Sequence, residues 1–146
     1  MRKKTYLFIT IILILLSIIF ISIFKITFIK GNSMSPTLRN CQATLVYKLD
    51  KEYDIGDIIT VHTKERGVCV KRVIAKEGDK LELLNGKIYK NGSLLSPYTC
   101  ENTKNKTFNL SEGEYFIIGD NYKESIDSRN YGLINQEDII GRVVLY

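Results

Sequence analysis

Residues 6–24, YLFITIILILLSIIFISIF, are 19 consecutive residues without a charge, Pro or Gly, and they limit the architecture more than any other feature. As a helix rising ~1.5 Å per residue, this run spans about 28 Å, close to the ~30 Å hydrocarbon thickness of a bilayer. A helix in a protein core would carry a polar stripe, and none is visible. A cleavable signal peptide is the nearer competitor, because Arg2, Lys3 and Lys4 precede the run. Its apolar stretch should be about 7–15 residues long and end at small residues. Here the run is longer and leads into Lys25, Ile26 and Thr27 with no Ala-x-Ala site. The sequence therefore predicts a cytoplasmic N-terminus over 1–5, a retained single-pass anchor over 6–24 in the cell membrane, and an extracytoplasmic domain over 25–146. The basic cluster before the run sets that orientation, and Lys25 and Lys30 beyond it oppose it more weakly.

The formal net charge of +5 does not point to nucleic acid. Residues 1–30 hold five Lys/Arg and no acids, whereas residues 31–146 hold sixteen of each sign. The folded part is formally neutral, and a basic footprint for phosphate is missing. Three cysteines (Cys41, Cys69 and Cys100) allow at most one disulfide. With His62 as the single histidine, no zinc-type ligand set is apparent and no cofactor is implied.

Beyond the anchor no helical period is visible. Short β-branched or alternating runs bounded by turn residues follow one another: ITFIKG, ATLVYKL, DIITVHT, GVCVKRVIA, DKLELL, KIYKNG, EYFIIGD and IIGRVVLY. Asn85-Gly86 between two of them is a two-residue hairpin signal, and Asn91-Gly92 marks another turn. Ser96 to Ser111 is polar and irregular and reads as a loop. The fold class expected is mainly β: one transmembrane helix followed by one compact all-β domain. Three polar segments interrupt it, at 31–38, 70–79 and 119–132, and loops on a rigid scaffold are where function concentrates.

A serine hydrolase needs a hydroxyl, a base and oxyanion donors. His62 sits in DIITVHT, most simply as a half-exposed strand residue, which leaves lysine as the alternative base. A lysine base must be neutral, which from a reference pKa of about 10.4 requires a shift of about three units near pH 7. Burial among apolar groups supplies such shifts. Lys71 lies in GVCVKRVIA among Val68, Val70, Val73 and Ile74, with Arg72 pointing to the opposite face. On these residues alone a solvated strand-edge lysine is the commoner outcome.

Context alters that balance. Gly31-Asn32-Ser33-Met34-Ser35-Pro36-Thr37-Leu38 resembles the nucleophile motif of type I signal peptidases, Ser-Met, any residue, then Pro-Thr-Leu. Lys71-Arg72 followed by Gly78-Asp79 is similar to that family's catalytic-lysine motif. Gly119-Asp120-Asn121 through Ser125, Asp127, Ser128 and Arg129 to Gly132 resembles its last conserved box. All three stand in the family's order, after an anchor. The resemblance implies Ser33 as nucleophile forming an acyl-enzyme, Lys71 as general base, and Ser125 as the residue that orients the lysine. It further implies the Ser33 backbone N–H as an oxyanion donor, and Asp127, Arg129 and Asp120 as architectural residues. Met34 and Pro36 would shape the turn that presents Ser33.

Lysine rather than histidine at position 71 resembles the bacterial branch over the endoplasmic-reticulum one. The implied substrates are exported preproteins cut after small residues. Gly31 stands where many members carry a serine that completes the oxyanion hole, and Tyr122 where arginine is usual. About fifty residues separate Lys71 from the last box, so the large extra β-domain of some members has no room. Eight residues between Phe24 and Ser33 span at most about 30 Å, which keeps the serine near the bilayer. Two alternatives share the sequence: a dedicated processing protease for one partner, such as a pilin-like or conjugation-related precursor, and a non-enzymatic membrane-tethered β binding module.

Overall fold

The computed structural model describes residues 2–64, 66–100 and 103–146. Helix α1 (Arg2–Ile23) carries the apolar run, and its most apolar stretch, Lys3–Ile23, is long and apolar enough to cross a membrane and buries none of its surface in the protein. The chain passes directly from α1 into strand β1 (Phe24–Phe28). The last residue of the expected anchor, Phe24, is thus the first of a strand; it stacks on Phe20 and Tyr47 with ring centroids 5.1 and 5.5 Å apart.

The strands that follow are β2 (Ala43–Tyr47), β3 (Ile58–Thr63), β4 (Gly67–Ala75), β5 (Lys80–Leu84), β6 (Lys87–Lys90), β7 (Ser93–Thr99), β8 (Lys106–Asn109) and β9 (Glu114–Ile118). A short helix, α2 (Ser128–Tyr131), then precedes β10 (Ile134–Asn135) and β11 (Ile139–Leu145). A seven-stranded sheet runs β1-β2-β11-β3-β4-β9-β10, and a four-stranded sheet runs β7-β6-β5-β8. The mainly β expectation stands.

Asn85 and Gly86 take φ of 51° and 78° between β5 and β6, and Asn91 and Gly92 take 51° and 81° between β6 and β7. Positive φ at both turn residues is what a type I′ hairpin requires and what Asn-Gly tolerates. The expected loop from Ser96 to Ser111 is a correction. Its first part, to Thr99, completes β7, and Lys106–Asn109 forms β8; residues 101 and 102 lie outside the described ones. The polar composition hid these strands because one face of this small sheet stays in solvent. A single aromatic pins β8: Phe108 meets the buried Phe116 edge-on at 5.3 Å.

Three apolar clusters result. Ile59, Val61, Val73 and Ile117 fill one side of the large sheet with Tyr53, Tyr115 and Ile134. Val46, Ile58, Val70 and Val143 pack with Ile29, Met34 and Leu38 from the loop after β1. Ile74, Ala75, Phe116 and Ile118 join Leu81, Leu83 and Ile88 of the small sheet. The register shift between Val73 and Ala75 is where β4 passes from the first two clusters to this third one.

Candidate active site

The loop after β1 is held at its neck by two backbone bonds, Ile29 N–H to Gln42 and Cys41 N–H to Ile29, both 2.9 Å. Inside it Met34 and Leu38 are 1% and 0% exposed. Burying side chains of this size contributes roughly 1.5–3 kcal/mol each, so the loop is anchored by packing. Gly31 turns at φ 85° and donates its N–H to Asn40 Oδ1 at 2.8 Å. Pro36 is exposed, and the Ser35–Pro36 peptide is cis. Ser33 is left half-exposed between two buried neighbourhoods.

Opposite it lies β4. Strand β9 pairs with β4 only from Arg72 to Ala75, so the stretch up to Lys71 extends past the end of β9. Lys71 points out of this stretch on the Cys69 and Val73 face, 3% exposed, and its Nζ donates to Ser33 Oγ at 2.7 Å. Burial pushes its pKa down, against smaller upward pulls from the Cys69 thiol and the Asp127 carboxylate. When the amine is neutral, the same contact lets the serine hydroxyl donate to the nitrogen lone pair. His62, by contrast, is exposed on β3 across from Val68.

Arg72, next on β4, faces the other way. Its Nε and Nη2 grip Asp120 Oδ1 and Oδ2 at 2.8 and 2.6 Å, and Nη1 donates to the Gly56 carbonyl at 2.6 Å. Such a two-pronged pair fixes orientation as well as distance. Asp120 thereby ties the loop after β9 to the strand that carries Lys71.

Asp127 and Arg129 form a second brace. Asp127 is fully buried and caps α2, accepting from Arg129 N–H while Asn130 Oδ1 accepts from the Asp127 N–H. Its oxygens also take Arg129 Nε at 2.7 Å, Nη2 at 2.8 Å and the Gly119 N–H at 3.1 Å. Arg129 reaches on to the carbonyls of Thr99 and Ser125 at 2.7 and 3.1 Å. The brace thus holds together the end of β9, the Ser125 backbone and β7. Ser125 is buried, and its Oγ makes no hydrogen bond among the described residues. It packs on Gly119, where a Cβ would overlap both Ser125 Oγ and the Ser33 carbonyl oxygen.

Ser33 and Lys71 are thus in contact, and Ser125 packs on Gly119 near the Ser33 carbonyl. Asp127 and Arg129 brace Gly119 and the Ser125 backbone, and Asp120 is held by Arg72 on the other face of β4. Two clefts of about 500 and 370 Å³ meet at Ser33, and Arg66, Val68 and Cys69 line both. The residue that sequence reasoning passed over is Asn121, which bonds the Ser33 loop through its main chain and its side chain. The sequence carried a signal, an Asn inside a polar loop between apolar strands, but nothing to say which backbone it would meet. Tyr122 packs edge-on against Tyr98 at 6.5 Å and joins the small-sheet cluster, which accounts for an aromatic at that position. The three cysteines are all free thiols.

The family model for signal peptidase, peptidase S26, matches residues 2–146. This chain belongs to that family. A signal peptidase I from Bacillus licheniformis is 34% identical, over 82% of this chain and 74% of the relative. Signal peptidase I U of Bacillus subtilis (strain 168) is 35% identical over 96% of this chain and 85% of its own length. Signal peptidase IB of Staphylococcus aureus is 35% identical over 79% and 73%. Among solved structures, a signal peptidase I from Enterococcus faecalis V583 superposes with a TM-score of 0.51 at 28% identity, covering 64% of this chain and 98% of that one. As a peptidase of the S26 family the chain is a hydrolase, a serine endopeptidase.

Proposed function

We propose that this signal peptidase removes signal peptides from exported preproteins, cutting after small residues, with Ser33 as nucleophile and Lys71 as general base. The observation that carries the reading is the 2.7 Å contact between Lys71 Nζ and Ser33 Oγ, made by a lysine whose burial lowers its pKa. A neutral amine takes the hydroxyl proton as Ser33 Oγ attacks the scissile carbonyl, and the Ser33 N–H receives the developing oxyanion. The protonated amine then returns its proton to the leaving nitrogen, freeing the mature protein and leaving an acyl-enzyme. Lys71, neutral again, activates a water that hydrolyses the ester. Ser125 Oγ, buried and unpartnered next to Gly119 and the Ser33 carbonyl, is the acceptor toward which the ammonium turns.

The apolar run over 6–24 anchors the chain once through the membrane, with residues 1–5 cytoplasmic and residues 25–146 forming the extracytoplasmic catalytic domain. Since β1 follows α1 without a linker, the cleft lies near the bilayer, where a signal sequence presents its cleavage site. The apolar wall of Ile29, Met34, Val68 and Val70 beside Ser33 supplies the surface for the residues preceding the bond. The decisive experiment is preprotein cleavage in detergent by wild type, Ser33→Ala, Lys71→Ala and the control Ser35→Ala. Wild type and the control cut after a small residue and the other two are inactive. Near-normal turnover by Lys71→Ala would remove the assigned base.

A further inference from the structure

Asn121 donates three hydrogen bonds, one of them to the Asn32–Ser33 peptide. Its Nδ2 donates to the Asn32 carbonyl at 3.2 Å and to Glu124 Oε2 at 3.1 Å. Its own N–H donates to the Ser33 carbonyl at 3.0 Å. The Asn32 carbonyl also accepts from the Ser35 N–H at 3.0 Å, so both of its lone pairs are engaged. The Ser33 N–H donates to no protein acceptor among the described residues.

The Asn32 C=O and the Ser33 N–H are the two ends of one planar peptide. In a trans peptide they point in opposite directions, so fixing the carbonyl fixes the direction of the N–H. Donation to the carbonyl also polarises the amide, and hydrogen bonds in a chain strengthen one another by perhaps 10–30% per bond. Two acceptors facing Nδ2 settle which end of the Asn121 amide carries nitrogen. Glu124 holds that amide in place from the solvent side, while the Asn121 carbonyl takes the Glu124 and Ser125 N–H groups at 3.0 Å each.

We infer that Asn121 is a positioning residue for the oxyanion hole: its side chain aims and polarises the Asn32–Ser33 peptide so that the Ser33 N–H is a preorganised donor. The inference rests on the proposed role of Ser33. It assigns to this chain a device that compensates for Gly31, which brings no hydroxyl to the hole. Asn121 touches no substrate atom, and its effect passes through the peptide it holds.

The test uses the full chain in detergent micelles and compares wild type with Asn121→Ala on a preprotein. Losing a whole oxyanion donor costs about 10²–10³ in kcat, so weakening one is expected to cost roughly tenfold. KM stays within about twofold of wild type, and the pH midpoint of kcat/KM, which reports Lys71, does not move. A peptide aldehyde, which forms a tetrahedral adduct on Ser33, inhibits the variant more weakly by the same factor as the fall in kcat/KM. The cleaved product peptide inhibits both enzymes equally.

The inference is overturned if Asn121→Ala keeps wild-type kcat, or if the loss lies in KM and product affinity alone. It is also overturned if the pH midpoint shifts, since the lysine rather than the oxyanion hole would then be disturbed. If Asn121→Ala does not fold, Glu124→Ala at an exposed position takes its place. There a fall in kcat at constant KM supports the inference and an unchanged kcat overturns it. Ser33→Ala separates this result from the parent reading. Activity in Ser33→Ala removes both, whereas an inactive Ser33→Ala beside a fully active Asn121→Ala removes only the role of Asn121.

Discussion

Lys71 and Arg72 are consecutive on β4 and serve opposite faces of the sheet. The lysine is buried against Ser33, while the arginine grips Asp120 on the loop after β9. Strand alternation alone produces this division of labour. Anything that loosens that grip lets Lys71 and the loop bonded to the Ser33 segment move apart.

The Arg72–Asp120 pair should therefore be coupled in both stability and rate. Its side chains are 22% and 11% exposed, too buried for solvent to screen them fully and too open for a dry-interior value. Hydrogen bonds to charged groups contribute about 1.5–3 kcal/mol, and a double-mutant cycle with Arg72→Met and Asp120→Asn should return a coupling in that range. Denaturant unfolding in detergent measures it. A coupling below about 0.5 kcal/mol would mean that the fork is only a surface pair.

Lys71 is a liability to the fold. Its pKa is lowered chiefly by burial, so the folded state disfavours the proton that the unfolded chain still binds. Between the lowered value and about 10.5 the unfolded state carries the extra proton, and stability rises with pH across that window. Lys71→Met, similar in shape and uncharged, lacks the effect. Lys71→Met should be inactive yet more stable than wild type near neutral pH. The gap should narrow by up to about 1.4 kcal/mol per pH unit as pH climbs towards the ordinary lysine range. Thermal unfolding of both proteins at several pH values is the check, and a gap that widens with pH would contradict the burial argument.

The same lowered pKa fixes the acid limb of the rate profile. Activity on a preprotein should rise with pH as Lys71 loses its proton, at a midpoint below the ordinary lysine value. Cys69 shares the face of Lys71, and its thiol pulls the amine's pKa up by less than burial pushes it down. Cys69→Ser should therefore lower the midpoint slightly. A midpoint that rose with Cys69→Ser would contradict that upward pull.

Much of this was legible in the sequence because it was carried by period and by turn chemistry. The N-terminal apolar helix, the strand around Lys71 and the Asn85-Gly86 hairpin each follow from a local pattern with one physical solution. Strand β8 did not, because Phe108 alone carries its packing and one aromatic makes no period. Helix α2 escaped for a related reason: at four residues it is held by the Asp127 cap and the Arg129 fork rather than by an apolar face. Within the site, the residues that point chemistry at Ser33 were readable as types, whereas Asn121 acts on a backbone 89 residues away in sequence. Such a contact is decided by the closure of the whole fold.

Asp127 offers the largest single loss. Its carboxylate is fully buried and takes bonds from Gly119, from the Arg129 backbone and from two nitrogens of the Arg129 side chain. Removing one partner of a buried ion pair strands the other and costs about 3–5 kcal/mol. Asp127→Ala should lose that much and have little folded protein at 37 °C. Asp127→Asn keeps the cap and loses the charge, so an intermediate loss is expected. Expression level and unfolding midpoint separate the two variants, and equal losses would assign the whole effect to the charge.

Gly119 closes the site by having no side chain. A Cβ there would overlap the Ser33 carbonyl and Ser125 Oγ. The first of these is backbone, already bonded to the Asn121 N–H at 3.0 Å, and cannot swing aside as a long side chain would. Overpacking of this kind costs about 1–3 kcal/mol. Gly119→Ala should be destabilised by that amount and lose activity out of proportion to it, because the relief is displacement of the Ser33 loop from Lys71. Positioning errors of about 1 Å cost on the order of 10² in rate. The measurement is kcat/KM on a preprotein beside the unfolding free energy of the same sample. Loss of stability with full turnover would show that the loop yields without moving Ser33. Then Ser33 and Lys71 would be held together by β4 and the Met34 anchor rather than by the close approach of β9.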